Sequence, residues 1–434
     1  MTSLSKIAEQ KGIRYFLVSF ADLRGVQRAK LVPAASIDRI AAEGAGFAGF
    51  AAWLDLTPAD PDVLGMADAT SLIQLPWQPE VAWVAGDLVM GSKPLEQSPR
   101  RVLQRQIARA RELGYVVRTG VECEFFVLSA DGEAIGDRGD HQGKPCYDQL
   151  ALMRRFDLIA KICDSMQTLG WGPYQNDHED ANGQFEMNWT YSDALTTADR
   201  HAFFKYMVKT LAEAHGLRAT FMPNPFPALS GNGCHVHVSL WDAATDKNVF
   251  HDKAGELGLS QTAYQFIAGV MHNAEALCAL TNPTVNSFKR INGAPTASGS
   301  TWSPNAVSYG GNNRTHMIRI PDVDRFELRL ADGATNPYLL QAAVIAAGLD
   351  GIVNQRSPGR RHDNNMYTHP LPAADARRLP ANLLDAVRAL RVNRELAGAL
   401  GAPFVDAFTK LKEAEWGEHQ AHISAWERQA TLDC

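Results

Sequence analysis

Residues 119–128, Thr-Gly-Val-Glu-Cys-Glu-Phe-Phe-Val-Leu, alternate polar and apolar positions in the manner of a β-strand. Side chains two apart on a strand share a face, so Glu122 and Glu124 project together while Val121 and Cys123 face the other way. Two adjacent carboxylates in an apolar strand repel each other and are costly to bury unless a cation holds them. The stretch alone leaves two interpretations open, an exposed edge strand with solvated acids and a cation site.

Three later stretches repeat this alternation, with polar side chains on one strand face and apolar ones behind. Their polar faces are Gln184, Glu186 and Asn188; His235, His237 and Ser239; and Arg325, Glu327 and Arg329. A solvated strand is again the alternative. However, a His-x-His-x-Ser face is more typical of a metal or phosphate site, although zinc hydrolases also use it. Three alternating ions cannot be buried without partners.

Longer segments carry apolar residues three and four positions apart, which predicts helices that pack by one face. The predicted helices are residues 99–113, 148–169, 198–215 and 261–280, with another beginning after 336–337. Strands and helices do not alternate as regular βαβ units, and no internal repeat is visible. We therefore predict an α+β fold, an antiparallel sheet flanked by helices, and not a doubly wound sheet.

The N-terminal part is predicted to be mostly strand. The elements are strands near residues 13–20, 28–33, 72–75 and 81–88, a short helix at 36–42, and a glycine-rich loop at 44–50. Two prolines, Pro94 and Pro99, interrupt this pattern, and Pro99 suits the first position of a helix. We place a domain boundary here, which divides the chain into residues 1–97 and 98–434.

Composition narrows the class of protein. A chain of 434 residues can bury a large core, and a net charge of -6 without a long basic run argues against nucleic acid or an anionic membrane as the main partner. The apolar stretches, such as 342–349, are too short to span a bilayer, and the N-terminus lacks the plan of a secretion signal. Six cysteines without a C-x-x-C pair fit reduced thiols. We expect a cytoplasmic enzyme.

Five arginines within forty residues accompany the polar strand faces: Arg290, Arg314, Arg319, Arg325 and Arg329. Guanidinium groups bind phosphates and carboxylates bidentately, so the set is typical of an anion clamp; surface salt bridges are the alternative. The carboxylates, counting Glu179, together with histidine suit two or three hard divalent cations. Metals beside arginines indicate phosphoryl transfer, and because no Gly-x-x-x-x-Gly-Lys loop is present the nucleotide is not held by a P-loop. A dinuclear metallohydrolase would leave the arginines without a role.

The motifs GVECEFF, EDANGQFE, NGCHVHVS, NNRTHMIRIP and RFELRLADGATNPY, in this order, resemble the glutamine synthetase superfamily, as does the N-terminal DLRGVQRAKLVP. The resemblance covers nearly the whole chain. It implies an N-terminal β-grasp domain, a C-terminal catalytic domain, and a homo-oligomer of two stacked hexameric rings, a dodecamer, with active sites between neighbouring subunits. It also implies an ATP-dependent ligase that phosphorylates the γ-carboxylate of glutamate before an amine attacks the γ-glutamyl phosphate.

Carried over residue by residue, the resemblance implies roles for each motif. One Mg²⁺ or Mn²⁺ site would be Glu124, Glu179 and Glu186, and a second Glu122, His235 and Glu327. ATP would contact His237, Ser239, Arg325 and Arg319. Glutamate would be held by Arg290, Arg329, Glu124 and the Gly231 backbone, with Arg314 and Arg319 on the transferred phosphoryl group.

Two departures from ammonia-using members concern the amine. The aspartate that holds ammonium falls at Gly46 here, and the flap glutamate six residues after Arg290 falls at Thr296. The N-terminal segment offers Phe47, Phe50 and Trp53 instead. We therefore expect a small alkylamine, methylamine above others, with ammonia as the alternative; the sequence resembles both γ-glutamylmethylamide synthetases and rhizobial type III glutamine synthetases.

Three further points follow from the resemblance. Asn224 stands where the family usually has lysine, so one cationic contact is expected to be missing. Tyr367 falls near the tyrosine that some bacterial members adenylylate, but Thr368 departs from that pattern and argues against this regulation. A non-catalytic structural homologue should lose metal ligands, and all six are retained.

Overall fold

The computed structural model describes residues 3–296, 298–372 and 377–434, which form a mixture of helices and strands. This confirms the predicted α+β class. The N-terminal elements are α1 (Leu4–Lys11), β1 (Tyr15–Ala21), β2 (Gln27–Pro33), α2 (Ile37–Glu43), β3 (Ala45–Phe47), β4 (Val63–Ala67), β5 (Ile73–Gln74), β6 (Val81–Met90) and β7 (Lys93–Pro94).

The N-terminal strands form one mixed sheet in the order β2-β1-β6-β4-β3, and β5 and β7 also pair with β6. The central β1 and β6 run parallel, whereas β1 and β2 form an antiparallel hairpin. Asp22 closes this hairpin, because its carboxylate accepts the backbone N–H groups of Arg24 and Val26 and the Nε of Arg28.

The remaining chain contains most of the helices. They are α3 (Pro99–Glu112), α4 (Gln149–Arg154), α5 (Phe156–Thr168), α6 (Ala194–Ala214), α7 (Gln261–His272), α8 (Ala274–Thr281), α9 (Ser287–Ile291), α10 (Pro337–Val353), α11 (Leu383–Val392), α12 (Arg394–Leu400), α13 (Ala402–Ala421) and α14 (Ala425–Thr431). The strands are β8 (Tyr115–Cys123), β9 (Phe125–Ser129), β10 (Pro173–His178), β11 (Gln184–Trp189), β12 (Ser192–Asp193), β13 (Leu217–Thr220), β14 (Cys234–Asp242), β15 (Tyr309–Gly310), β16 (Ile318–Asp322) and β17 (Arg325–Leu328).

These strands form two sheets that meet at Glu124. One has six strands in the order β12-β8-β14-β17-β16-β15, and the other has four in the order β10-β11-β9-β13. All pairs are antiparallel except β15 with β16. Since β8 ends at Cys123 and β9 begins at Phe125, the predicted continuous strand is divided, and Glu124 lies at the junction of the two sheets.

The main core lies behind the apolar faces of these sheets. It includes Val121 and Cys123 of β8, Val236 of β14 and the central helix α10, which is buried from Pro337 to Gly351. The polar faces of the same strands are therefore left on the opposite side, away from the helices. This division follows from the period of two in a strand.

Several predicted helices and loops have different boundaries in the structure. The helix predicted at 148–169 is divided at Arg155 into α4 and α5, and the one at 261–280 is divided at Asn273 into α7 and α8. The glycine-rich segment 44–50, predicted as a loop, contains β3 paired with β4. Local periodicity missed these features because a helix break and a strand pairing depend on neighbouring elements.

Arg100 connects the N-terminal sheet to the helices. Its guanidinium contacts Asp87 at 2.6 Å, Asp68 at 2.7 Å and Asp199 at 3.0 Å, and the hydroxyl of Tyr338 donates to Asp199 at 2.8 Å. Arg100 and Asp199 are both buried. The helix α3 therefore carries one cation that satisfies acids from both parts of the chain.

We expect Arg100→Met to lower the free energy of unfolding by about 3–5 kcal/mol, because it leaves Asp199 buried without its cation. Arg101→Met is the matched control, since Arg101 lies on the same helix but pairs with Glu96 at the surface, where such a pair contributes about 1 kcal/mol or less. Denaturant unfolding followed by tryptophan fluorescence measures both variants. Equal losses in the two variants would contradict the role of Arg100.

Candidate active site

The centre of the site is built by three adjacent strands of the six-stranded sheet. In the register, His235 of β14 lies opposite Glu122 of β8, and His237 lies opposite Glu327 of β17. The Nδ1 of His235 is 3.5 Å from Glu122 Oε2 and 3.6 Å from Glu327 Oε1. Ligand atoms of Glu122, His235 and Glu327 all lie within 4.8 Å of one another. The structure thus brings together the second predicted ligand set.

The four-stranded sheet contributes the other carboxylates. Glu186 of β11 groups with Glu124 and His235, and separately with Glu179 and Asp177. The first predicted set, Glu124, Glu179 and Glu186, therefore forms two groups that share Glu186. Asp177 was not predicted as a ligand. It lies in β10, two residues before Glu179, and this spacing was a signal of the same kind as in the other strands.

Glu124 is held at the junction of the two sheets by backbone and side-chain donors. Its Oε2 accepts the N–H of Gly233 at 2.7 Å and the Nε2 of Gln184 at 3.0 Å, and its Oε1 lies 3.9 Å from His235 Nε2. Gln184 also donates to the carbonyl of Gly231 at 3.2 Å. One oxygen of Glu124 is thus fixed by the protein, and the other faces the histidine.

Burial and mutual repulsion raise the pKa values of the carboxylates from the four-stranded sheet. Burial, followed by the charge of Glu124, raises the pKa of Glu179 to about 8. Burial, followed by the charges of Glu122, Glu179 and Glu124, raises the pKa of Glu186 well above its usual value. The amide of Asn188 donates one hydrogen bond to Glu186 at 2.8 Å, which does not offset this. These carboxylates lack positive charge, and a divalent cation would supply it.

The carboxylates of the six-stranded sheet are compensated by protein cations. Burial raises the pKa of Glu327, but the charges of Arg329 and the two histidines outweigh it and lower the pKa to about 2. Burial likewise raises the pKa of Glu122, and hydrogen bonds from His235 and His237 hold it well below its usual value. The two halves of the cluster therefore differ in how their charge is balanced.

Two arginines bind the carboxylate of Glu327. Arg319 donates from Nη1 to Glu327 Oε2 at 2.8 Å, and Arg329 donates to Oε1. The Nε of Arg329 and the Nε of Arg290 are buried with no hydrogen-bond partner among the described residues. These guanidiniums keep donors available for a further anion.

Two glycines allow Arg290 to approach the cluster closely. A side chain at Gly231 would collide with the carbonyl of Pro223 and contact Arg290, and one at Gly233 would contact His235 Nε2, Arg290 Nη2 and Glu124 Oε1. Glycine is therefore required at both positions for this packing. Of the predicted glutamate contacts, Arg329, Glu124 and Gly231 line the same cavity, and Arg290 lies against Gly231 and Gly233.

The carboxylate cluster opens into a cavity of about 320 Å³. Among the predicted residues it is lined by Glu122, Glu124, Glu179, Glu186, His235, Gly231, Arg314, Arg319 and Arg329. A second cavity of about 280 Å³ is lined by the other predicted ATP contacts, His237, Ser239 and Arg325. The two cavities share Glu122, so a long ligand could extend from one into the other.

The second cavity has aromatic walls as well as polar groups. Trp241 donates to Ser239 Oγ at 3.0 Å and stacks under the Arg118 guanidinium at 4.0 Å, while Tyr174 is exposed at the rim. Arg325 donates from Nε to His237 Nδ1 at 3.3 Å. Flat aromatic and guanidinium surfaces of this kind suit a planar base.

The segment that contains Thr296 borders the first cavity and is anchored by an unpredicted residue, Asp180. The Oδ2 of Asp180 accepts hydrogen bonds from Ser230 Oγ at 2.7 Å, from Trp302 Nε1 at 2.6 Å and from Ser298 Oγ. Trp302 lines the cavity, and its φ of 52° is unusual for a residue other than glycine. No sequence periodicity could have found this contact, since 122 residues separate its partners.

The N-terminal positions singled out for the amine lie elsewhere. Among the described residues that line the two cavities, none belongs to segment 46–53. Phe47 packs edge-on against Phe20 at 5.0 Å, and Trp53 lies under the Arg24 guanidinium at 3.8 Å. Phe50 is exposed. Within one chain these aromatics do not reach the carboxylate cluster.

The structure also shows the surroundings of Asn224 and Tyr367, two other residues singled out from the sequence. Asn224 is bound to α9, since its N–H donates to Asn286 Oδ1 at 2.7 Å and its Nδ2 to the carbonyl of Lys289 at 3.3 Å, and it lines neither cavity. The hydroxyl of Tyr367 is buried with no hydrogen-bond partner among the described residues. Burial therefore shields the Tyr367 hydroxyl from modification in this conformation.

Comparison with known proteins identifies the family. A profile described as "Glutamine synthetase, catalytic domain" matches residues 96–431. The chain belongs to the glutamine synthetase family. It is therefore a ligase of that family. None of its described helices is long and apolar enough to cross a membrane.

The relatives of this glutamine synthetase family member carry two kinds of name. It is 59% identical over 430 residues to a glutamine synthetase of Rhizobium leguminosarum bv. phaseoli, with 99% of each chain covered. It is 42% identical over 434 residues to a glutamate–methylamine ligase of Methyloversatilis universalis, covering 98% of this chain and 97% of the relative. A solved structure, "GmaS/ADP complex-Conformation 1", matches with 60% identity, a TM-score of 0.97 and full coverage of both chains.

In the metal-free protein, we expect stability to fall as the pH rises from about 5 to about 8. The unfolded chain releases the Glu179 proton near 4.5, whereas the folded chain retains it to about 8. The unfolded state therefore binds fewer protons in this window, and each such group destabilises by about 1.4 kcal/mol per pH unit. Thermal unfolding between pH 5 and 8.5 in EDTA measures the slope.

Saturating Mg²⁺ should remove this slope, because a bound cation favours the ionised carboxylates, and Glu179→Gln should reduce it in EDTA. Asp148→Asn, which alters the acid at the N-terminus of α4 outside the cluster, is the control and should leave the slope unchanged. A flat pH profile of the wild-type protein in EDTA would contradict the uncompensated charge.

Proposed function

We propose that this ligase joins the γ-carboxylate of L-glutamate to methylamine, with ATP as co-substrate and γ-glutamyl phosphate as intermediate. Ammonia is the alternative amine. The names of the relatives support both, since one at 59% identity is called a glutamine synthetase and the 60% identical structure is called GmaS. The reaction class is common to both alternatives.

The observation that carries the proposal is the pair of cavities that share Glu122. One has aromatic walls and the side chains of His237, Ser239 and Arg325, and the other contains the carboxylate cluster and the arginines. ATP placed across them would have its base in the first cavity and its γ-phosphate beside the arginines. Glutamate would then enter from the opposite end, at Gly231.

Each residue has a role in this proposal that its position permits. Arg290 and Arg329 would bind the glutamate carboxylates, while Arg314 and Arg319 would stabilise charge on the transferred phosphoryl group. Two or three Mg²⁺ or Mn²⁺ ions would be held by the six predicted ligands with Asp177, and they would supply positive charge that offsets the charge of the phosphates. The arginines would supply fixed positive charge, and the two glycines let Arg290 approach the carboxylate cluster.

Methylamine is favoured over ammonia by the surroundings of Thr296. The flap residue is a neutral threonine whose hydroxyl donates to the carbonyl of Ser300 at 2.6 Å, so it supplies no anion. The Oδ2 of Asp180, close by, already accepts hydrogen bonds from three donors, one of them the Trp302 indole. An alkylammonium could place its methyl group on this indole, which lines the cavity, and gain a cation–π contact.

The same proposal covers organisation and assembly. Residues 1–97 would form a β-grasp domain and residues 98–434 the catalytic domain, with twelve chains in two hexameric rings. Phe50 and Trp53, which are 52% and 44% exposed, would then cover the amine end of a neighbouring subunit's site. The six cysteines are unpaired, which fits a cytoplasmic location.

Glu327→Gln should lower ATP-dependent amide formation at least 100-fold, because it removes one anion from the metal site and leaves Arg319 and Arg329 with a neutral partner. A coupled assay of ADP release with glutamate and methylamine measures the rate. Glu256→Gln, at an exposed ion pair with Arg361, is the control and should retain full activity. An active Glu327→Gln enzyme would exclude the proposed metal site, and an inactive wild-type chain would favour a structural homologue.

Methylamine should be used with a higher kcat/KM than ammonia or ethylamine, and Thr296→Glu should shift this preference toward ammonia. A glutamate at this position would supply the anion that attracts and deprotonates ammonium. Thr296→Gln introduces a side chain of the same size as glutamate but without its charge, so this variant should leave the amine preference unchanged. Steady-state kinetics with the three amines decides, and a wild-type preference for ammonia would establish the alternative.

A further inference from the structure

A third cavity, of about 550 Å³, lies away from the carboxylate cluster and contains three cationic side chains. We call it the cationic cavity; its lining includes Arg24, Lys205, Lys209, Phe221, Met222 and Pro337. No aspartate or glutamate occurs among the described residues that line it. The proposed reaction gives this cavity no role.

The cationic cavity is separate from the active site. Its wall includes Met222, Pro223 and Gly333, all of which are bound to Asn232 through hydrogen bonds of 2.8 to 3.1 Å. Gly231, which directly precedes Asn232 in the chain, lines the active-site cavity on the other side. A ligand in the cationic cavity would therefore lie behind the glutamate end of the site, not in it.

The two lysines lie one helical turn apart on α6 and face the same aromatic ring. Lys205 Nζ and Lys209 Nζ are 5.3 and 5.8 Å from the centre of the Phe221 ring. Like charges at this spacing repel each other. Lys205 donates to the carbonyls of Gly333 and Thr335, at 2.7 and 3.4 Å, so its position has a structural explanation. Lys209 Nζ donates no such hydrogen bond within the described part of the chain.

Arg24 adds a third cation from the turn between β1 and β2. Its guanidinium stacks on Trp53, and its Nε is buried without a hydrogen-bond partner among the described residues. The acid in the same turn, Asp22, is already bound to Arg28 at 2.9 Å. Buried donors of this kind normally have an acceptor, so an acceptor from outside the chain is expected.

One acid beside the wall of the cationic cavity, Asp332, already has hydrogen-bond partners of its own. Asp332, which precedes Gly333, accepts hydrogen bonds from Asn282 at 3.0 Å and from the N–H of Ala334 at 2.9 Å. Burial lowers the pKa of Lys209, and the charges of Lys205 and Arg218 lower it further, against a smaller opposing effect of Glu213. The site around Lys209 therefore has an excess of positive charge.

We propose that the cationic cavity binds a small anion with two negative charges, carried by carboxylate or phosphate groups. Arg24 and Lys209 bind the charged oxygens, and Lys205 contributes its remaining donor. The apolar surfaces of Phe221, Met222 and Pro337 leave room for a short carbon chain, which suits a dicarboxylate. This inference does not depend on which amine the enzyme uses.

The test is calorimetric titration of the assembled full-length enzyme with inorganic phosphate, succinate and glutarate. A nonhydrolysable ATP analogue, Mg²⁺ and glutamate, all at saturating concentration, occupy the nucleotide, phosphoryl and glutamate positions of the active site, so that any further binding occurs elsewhere. We expect saturable binding of at least one of these anions. Whether phosphate or a dicarboxylate binds more tightly shows which of the two kinds of anion the cavity prefers. Succinamide, which has the shape of succinate without its charge, should not bind.

Lys209→Gln should weaken that binding about tenfold, since it removes one charge-assisted contact. Lys209 lies in the wall of the cavity with part of its side chain in solvent, and glutamine keeps a polar side chain there, so this variant should fold normally. Lys161→Gln, which alters an exposed lysine on α5, is the matched control and should bind as the wild type does. Absence of binding by all three anions, equal affinity in Lys209→Gln, or equal binding of succinamide would overturn the proposal.

Discussion

Repulsion between buried carboxylates on one face of the sheets is the constraint on which the site depends. Glu122, Glu124, Glu186 and Glu327 lie within a few ångströms of His235, and folding brings them there at a cost in electrostatic energy. The helices behind the sheets and the hydrogen bonds between strands hold the carboxylates in place. A site under this kind of strain binds divalent cations strongly, because the cation removes the repulsion.

The charge is balanced in two ways, and the difference corresponds to the two sheets. Histidines and arginines already compensate Glu122 and Glu327, whose pKa values are lowered, whereas Glu179 and Glu186 have raised values. The first group can keep its geometry without metal. The second group is where the addition or loss of a cation changes the protonation state most.

In the proposed function, the residues that would choose the amine lie on a different kind of element from those that would hold metal and ATP. The carboxylate cluster and the second cavity are built largely by paired strands, which fix their geometry. The surroundings of Thr296 are instead a loop anchored through Asp180 and Trp302. A loop can change its side chains without disturbing the strands, so the amine could be chosen there while the strand geometry stays the same.

The sequence by itself determined the strand faces that carry the chemistry, the α+β class and the family. A period of two assigns each side chain to a face whatever the strand's neighbours are, so Glu122, His235 and Glu327 could be predicted to lie on polar strand faces, and the family resemblance placed them in one metal site. The breaks at Arg155 and Asn273, and the position of β3, could not be predicted, because they depend on packing partners far along the chain.

Only the tertiary structure decided how the polar faces combine. It divided the predicted strand at Glu124 between two sheets. It also placed Glu186 in two groups of possible metal ligands and brought Asp177 and Asp180 to the site. It also placed Arg24 beside two lysines that are about 180 residues away in the sequence. Such contacts join residues that no local period relates, and they exist only after the chain has folded.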